Sequence, residues 1–205
     1  NVTIRGNGNS TVLKRAWNST SNEGVITLAN ATQCRIERLY INSVDPSYIY
    51  NLCIYVDAGS NNCIEGIVCV SGYKGIYVKS SYGNKIGNNM CFEQFDSGIY
   101  LDEGGRNNVT GNSCMDITNG EGITLDDSGD NVISSNTLCF NRTGIAISGS
   151  LINANNTVVG NTITRNSDSG IVVSYAYTNC NDVLIGNNIS INSLGIYVTY
   201  TNQIS

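Results

Sequence analysis

Apolar residues along this chain return in pairs separated by a single position, in the tetrapeptides VITL, CIYV, GIYV, GIYL, GITL, GIAI, GIVV and GIYV. Their leading isoleucines are Ile26, Ile54, Ile76, Ile99, Ile123, Ile145, Ile171 and Ile196, at intervals of 28, 22, 23, 24, 22, 26 and 25 residues. A second theme, NKIGNNMC, NNVTGNSC, NVISSNTL, NTVVGNTI and DVLIGNNI, carries Asn89, Asn112, Asn136, Asn161 and Asn187 at intervals of 23, 24, 25 and 26. Alternation with period two over three to five positions predicts short strands with Ile and Val on one face. A repeat of two dozen residues without a helical stretch has no room for helix-covered crossovers, so the parallel strands must stack as the coils of a solenoid. The expected fold is all-β, a parallel β-helix of about eight coils with 22–28 residues each. At about 4.8 Å per coil the rod is roughly 40 Å long. Residues 1–205 read as one such domain.

Stacking the repeats assigns roles to whole columns. Ile41, Cys69, Cys91, Cys114, Leu138, Ile163 and Ile189 point inward, which makes three of the cysteines packing residues. The asparagines form a ladder in which each amide donates to one neighbouring coil and accepts from the other. Gly75, Gly98, Gly122, Gly144, Gly170 and Gly195 precede the isoleucine strands and are read as corners of positive φ. Cys34 and Cys63 fall near each other on successive coils, a disulfide candidate in an oxidising compartment, and no CxxC spacing suggests zinc.

Composition agrees with this picture and narrows the chemistry. The 31 Asn and 22 Gly disfavour helices. Sixteen acidic against 11 basic residues give a net charge of -5, which argues against nucleic acid as a partner. The absence of His removes imidazole bases, Ser/His/Asp triads and His-dependent metal sites. No 18-residue apolar run predicts a membrane span. Eight Asn-X-Ser/Thr triplets, at Asn1, Asn9, Asn18, Asn30, Asn108, Asn141, Asn155 and Asn188, suit glycosylation of an extracellular or surface protein.

The outward column of the first theme reads Thr27, Tyr55, Tyr77, Tyr100, Thr124, Ala146, Val172 and Tyr197, an exposed tyrosine ladder by alternation alone. Two residues on come Asp57, Lys79, Asp102 and Asp126, with Glu103 and Asp127 one step further. Tyrosine rings stack on sugar faces, and carboxylates bind sugar hydroxyls or calcium, so Tyr55, Tyr77, Tyr100, Asp57, Lys79 and Glu103 are carbohydrate-binding candidates. Asp102, Glu103, Asp126 and Asp127 are a possible calcium set, and no other cofactor is expected. The longer excursions add Tyr48, Tyr50, Tyr175 and Tyr177 as loop candidates for binding. The alternative to all of these is structural, because aromatic ladders stabilise sheets without a ligand.

The opening NVTIRGNGNSTVLKR and the generic NxIxxNxI...GIxL coil resemble the right-handed parallel β-helix proteins of the pectin-lyase-like superfamily, especially their NosD-like surface members. The resemblance covers nearly the whole chain. It implies a right-handed coil and an association with polysaccharide or surface glycan, in proteins that include lyases, hydrolases, epimerases and noncatalytic adhesins. The first expectation is a noncatalytic adhesin, spike or surface-assembly module. The alternative is a hydrolase or lyase using Asp102, Asp126 and Asp127, with Lys79 or Arg106 as a lyase base; the His-containing and basic motifs of the hydrolases are missing. The chain opens on the strand-like NVTI and closes where Ile204 starts another inward column, which suggests a longer chain or end-to-end self-association.

Overall fold

The computed structural model describes residues 1–16, 18, 20–43, 49–117, 119–150, 154–176 and 181–200. Every regular element among them is a β-strand, and every pairing is parallel. Eight strands, Glu23–Ala29, Asn51–Asp57, Lys74–Lys79, Ser97–Asp102, Glu121–Asp126, Thr143–Gly149, Ser169–Tyr175 and Leu194–Tyr200, stack in chain order into what we call the tyrosine sheet. The 14-stranded second sheet opens with Thr3–Lys14 and Arg35–Asn42. From there each coil contributes two three-residue strands, such as Cys63–Glu65 and Val68–Val70. Between such halves the chain bends through a left-handed residue, among them Arg38, Gly66, Asn88, Gly111, Ser135, Gly160 and Gly186.

The predicted columns are in register. Ile26 pairs with Ile54, Ile54 with Ile76, Ile76 with Ile99, and the file continues to Ile196. Facing it, Ile41, Cys69, Cys91, Cys114, Leu138 and Ile163 are all fully buried and stacked, with the partly buried Ile189 at the end. Each buried Ile or Leu contributes roughly 1.5–3 kcal/mol of apolar transfer, which is what ties one coil to the next.

Polar groups inside the coil are satisfied by asparagines. Asn89 Nδ2 donates to Asn112 Oδ1 at 3.0 Å, and the same bond links Asn112 to Asn136, Asn136 to Asn161 and Asn161 to Asn187 at 3.0, 3.0 and 2.9 Å. Asn62, Asn84, Asn107, Asn131 and Asn156 make a second such file at 3.0–3.2 Å, with the same sequence spacing. Asn141, Asn166 and Asn192 begin a third. Asn141 is therefore buried, its Nδ2 donating to the Cys114 carbonyl at 3.1 Å, and it is no glycosylation site in the folded chain. The other seven sequon asparagines are exposed.

Two further expectations are corrected here. Gly75, Gly98, Gly122, Gly144, Gly170 and Gly195 have no positive φ and sit inside strands rather than at corners. At the first five, space is the requirement: a Cβ on Gly98 would meet the Cys114 Sγ and the Gly122 carbonyl oxygen at 2.8 Å. Cys34 and Cys63 are both free thiols, because Cys63 stacks on Arg35 rather than on Cys34. That one-residue offset sends Cys34 into the core and Cys63 to the opposite face, beside Glu65 at 3.8 Å.

Candidate functional site on the tyrosine sheet

The outer face of the tyrosine sheet carries the predicted aromatic column, but the first half of that column is closed. Tyr55 and Tyr77 are each 7% exposed and Tyr100 is half-buried, which corrects the expectation of an exposed ladder. Alternation gave the direction of these side chains; their neighbours on the same face decided their exposure. The Tyr55 and Tyr77 rings lie 5.1 Å apart with Leu52 packed beside them, and Tyr77 meets Tyr100 edge-on at 5.3 Å. Such aromatic pairs add about 0.5–1.5 kcal/mol beyond area burial.

Each phenol then finds a carboxylate. Tyr77 donates to Asp102 Oδ2 at 2.5 Å and Tyr100 to Asp126 Oδ2 at 2.9 Å, each reaching the next coil. The place that Asp102 and Asp126 hold for the other two phenols is held for Tyr55 by Lys79, the register partner of Asp57, and the carboxylate beside the Tyr55 phenol is Asp57 of its own strand. Burial first, then the Asp57 carboxylate, push the Tyr55 phenol up to about 12. Burial and their hydrogen-bonded carboxylates raise Tyr77 and Tyr100 further.

Asp102 and Asp126 stand opposite one another in register, about one strand spacing apart, each already holding a phenol. Lys79 Nζ adds 3.4 and 3.9 Å contacts to Asp102 and Glu103, and Ser80 donates to Glu103 at 3.2 Å. Asp126 also accepts from Ser148 at 3.1 Å, while Asp127 turns away at a positive φ to accept the Ser150 amide at 2.5 Å. Among the described residues no three Cys, Asp or Glu side chains converge closely enough to hold a metal ion. Arg106 stands apart from these carboxylates, over the Tyr82 ring at 5.9 Å. Tyr175 is buried in the core with its hydroxyl on Asp182 at 2.6 Å, so it is no loop contact. Tyr50 is half-buried; Tyr48, Tyr177 and Ile204 lie outside the described residues.

After Tyr100 the column passes through the buried Thr124 to Ala146 and Val172, and tyrosine returns only at Tyr197. The missing rings leave a hollow of about 280 Å³. Ala146 and Val172 form its floor, Tyr197 one wall, and Thr143 and Ser169 supply hydroxyls. Glu121, ion-paired to Arg142, and the exposed Asp168 make its charged rim. Burial outweighs the Arg142 charge and holds the Glu121 carboxyl above the usual carboxylate range.

Another unpredicted group closes the filled half. Lys74 Nζ sits 2.7 Å from Asp96 Oδ2 and 4.5 Å from the centres of both the Tyr73 and Tyr100 rings. Lys74, Ser97, Glu121, Thr143 and Ser169 belong to one column, three residues before the tyrosine column. Its spacing is the same repeat, so the signal was present; aromaticity drew the reading to the neighbouring columns instead.

The family model described as periplasmic copper-binding protein (NosD) matches residues 5–203. No curated protein matches by sequence. Among solved structures, DFA-IIIase from Arthrobacter chlorophenolicus A6, without its lid, superposes with a TM-score of 0.68 at 16% identity, over 85% of this chain and 47% of that one. Pectate lyase Pel9A gives 0.61 at 14% identity, over 98% and 69%. PfbA, a surface adhesin of Streptococcus pneumoniae, gives 0.57 at 12%, over 87% and 59%. The chain thus spans about half the length of the DFA-IIIase, and at these identities the likeness is one of fold.

Proposed function

The chain belongs to the NosD family, and on that premise we propose that it is a noncatalytic carbohydrate-binding β-helix of the cell envelope or outer surface, an adhesin-like module. The observation that carries this reading is the hollow over Ala146 and Val172. A face otherwise sealed by tyrosine opens there to about the size that one or two sugar rings occupy, with a ring at one wall, hydroxyls within and charges at the rim. The similar pectate lyase supports a polysaccharide partner, and the similar surface adhesin supports a role at the cell surface. Binding is favoured over turnover because Asp102 and Asp126, paired in register on adjacent coils, are each tied to a tyrosine hydroxyl.

One observation favours a second reading. Glu121, raised by burial and lining the hollow, has the environment of a general acid, and a hydrolase would use it there.

Copper, which the family description names, calls for imidazole, thiolate or thioether donors gathered at an accessible point. This chain has no His, six of its seven described free cysteines are buried, and no three Cys, Asp or Glu side chains among the described residues converge on a metal site. The residues present do not fit a copper centre.

The test is a glycan array with native protein and Ala146→Trp, paired with a reducing-end and unsaturated-product assay of every bound glycan. Binding abolished by Ala146→Trp, with no product released, is the expected result. Product that disappears in Glu121→Gln establishes the hydrolase instead, and binding indifferent to Ala146→Trp removes the hollow from the function.

A further inference from the structure

The charge of the molecule is not spread evenly. The outer face of the tyrosine sheet and its edges bear Asp57, Asp102, Glu103, Asp126 and Asp127 after the tyrosine column, and Glu23, Asp96, Glu121 and Asp168 before it. The same region carries Lys74, Lys79, Arg142 and Arg15, which pairs with Glu23. Nine of 16 carboxylates against four of 11 cations account for the whole net charge of -5, and the rest of the chain is balanced. Among the described residues no Lys or Arg is ion-paired to Asp57, Asp126, Asp127 or Asp168. Such a face repels a polyuronate and attracts a cation.

The face also shows how it holds an ammonium group. Lys74, whose side chain is 13% exposed, places its Nζ against the Asp96 carboxylate, over the Tyr73 and Tyr100 rings at 4.5 Å, with Tyr77 at 5.5 Å. Carboxylate and ring faces together are the chemistry that binds a desolvated amine. At the hollow the column position of Lys74 is taken by Thr143 and Ser169, whose short side chains leave that space open, while carboxylates (Glu121, Asp168) and a tyrosine (Tyr197) are again present.

We infer that the hollow takes the protonated amine of a hexosamine, so that the ligand is a polysaccharide of sugars with free amino groups and not a uronate polymer. The inference rests on the carbohydrate-binding reading above and adds the class of sugar. Asp168, which no Lys or Arg among the described residues pairs, faces the ammonium; Thr143 and Ser169 take ring hydroxyls, and Tyr197 offers an apolar ring face.

The experiment is titration calorimetry of the native chain with four tetramers: β-1,4-glucosamine, its fully N-acetylated form, galacturonate and lysine. The glucosamine tetramer binds at least about tenfold more tightly than the N-acetylated one, as expected when a charged hydrogen bond is lost; the galacturonate tetramer does not bind. Asp168→Asn, at an exposed position that leaves folding intact, weakens the glucosamine tetramer about tenfold and the N-acetylated form hardly at all. Equal binding of both forms that Ala146→Trp still abolishes overturns the amine assignment and leaves the carbohydrate face standing. Failure of all three saccharides overturns both. Tetralysine binding as tightly as the glucosamine tetramer, with the same loss in Asp168→Asn, overturns the sugar and makes a basic peptide the ligand.

Discussion

Where the outer column of the tyrosine sheet reads Tyr55, Tyr77 and Tyr100 it is packed shut, and where it reads Ala146 and Val172 it lies open. Beneath both stretches the inward files are alike: Leu101 under the closed part and Ile147 under the open part are both buried and both stacked in register on their neighbours. The contrast separates two jobs that one strand performs. Inward positions repeat because every coil needs the same cross-section to stack; outward positions answer to no such constraint, so one stretch of face can be filled with rings while another is left hollow.

The largest effect should ignore that contrast. Leu101→Ala and Ile147→Ala should each cost about 2–5 kcal/mol by denaturant unfolding, and by similar amounts, since both open a cavity in one continuous core. A cost confined to Leu101→Ala would mean that the outer tyrosines, rather than the inner files, hold the coil. The next effect separates the halves. Tyr77→Phe deletes a buried hydrogen bond to a carboxylate and should cost about 1.5–3 kcal/mol, whereas Tyr197→Phe, at a half-exposed ring, should stay within about 0.5 kcal/mol.

Alkaline titration sharpens the same boundary. Folding raises the Tyr55 phenol from its ordinary 10.0 to about 12, so the unfolded chain loses that proton first. The stabilisation is complete below pH 10 and drains away as the pH climbs towards 12. Phenolate absorbance at 295 nm should show a class of tyrosines that ionise late or only on unfolding, and Tyr55→Phe should flatten the decline in stability across that window. The smallest effect on stability belongs to the open half: Ala146→Tyr adds a ring at a half-buried outer position and should change unfolding free energy by about 0.5 kcal/mol or less. A large destabilisation would show the hollow to be tightly packed space.

Much of the fold was legible because stacking copies one constraint into every coil. Ile76, Ile99 and Ile123 announce it by spacing, as do Cys69, Cys91 and Cys114, and the asparagine file from Asn62 to Asn156 could have been found from its 22- to 25-residue intervals. The site was less legible. Tyr175 ends a strand whose alternation suggests nothing special, and only the coil around it shows a core tyrosine with its hydroxyl on Asp182. Gly98 looked like a corner because glycine serves that purpose often; the crowding by Cys114 and Gly122 that demands it comes from two other coils.

By itself the sequence determined the winding, the register of its files and the direction in which each side chain leaves the strand, because period and alternation are local properties of the chain. Exposure and partnership came only with the tertiary structure. Whether Tyr77 meets water or Asp102, whether Cys63 meets Cys34 or stacks on Arg35, and whether Glu121 rims a hollow depend on side chains one or two coils away. An offset of one residue, or the loss of one ring, reverses each of these outcomes without altering the repeat that encodes the fold.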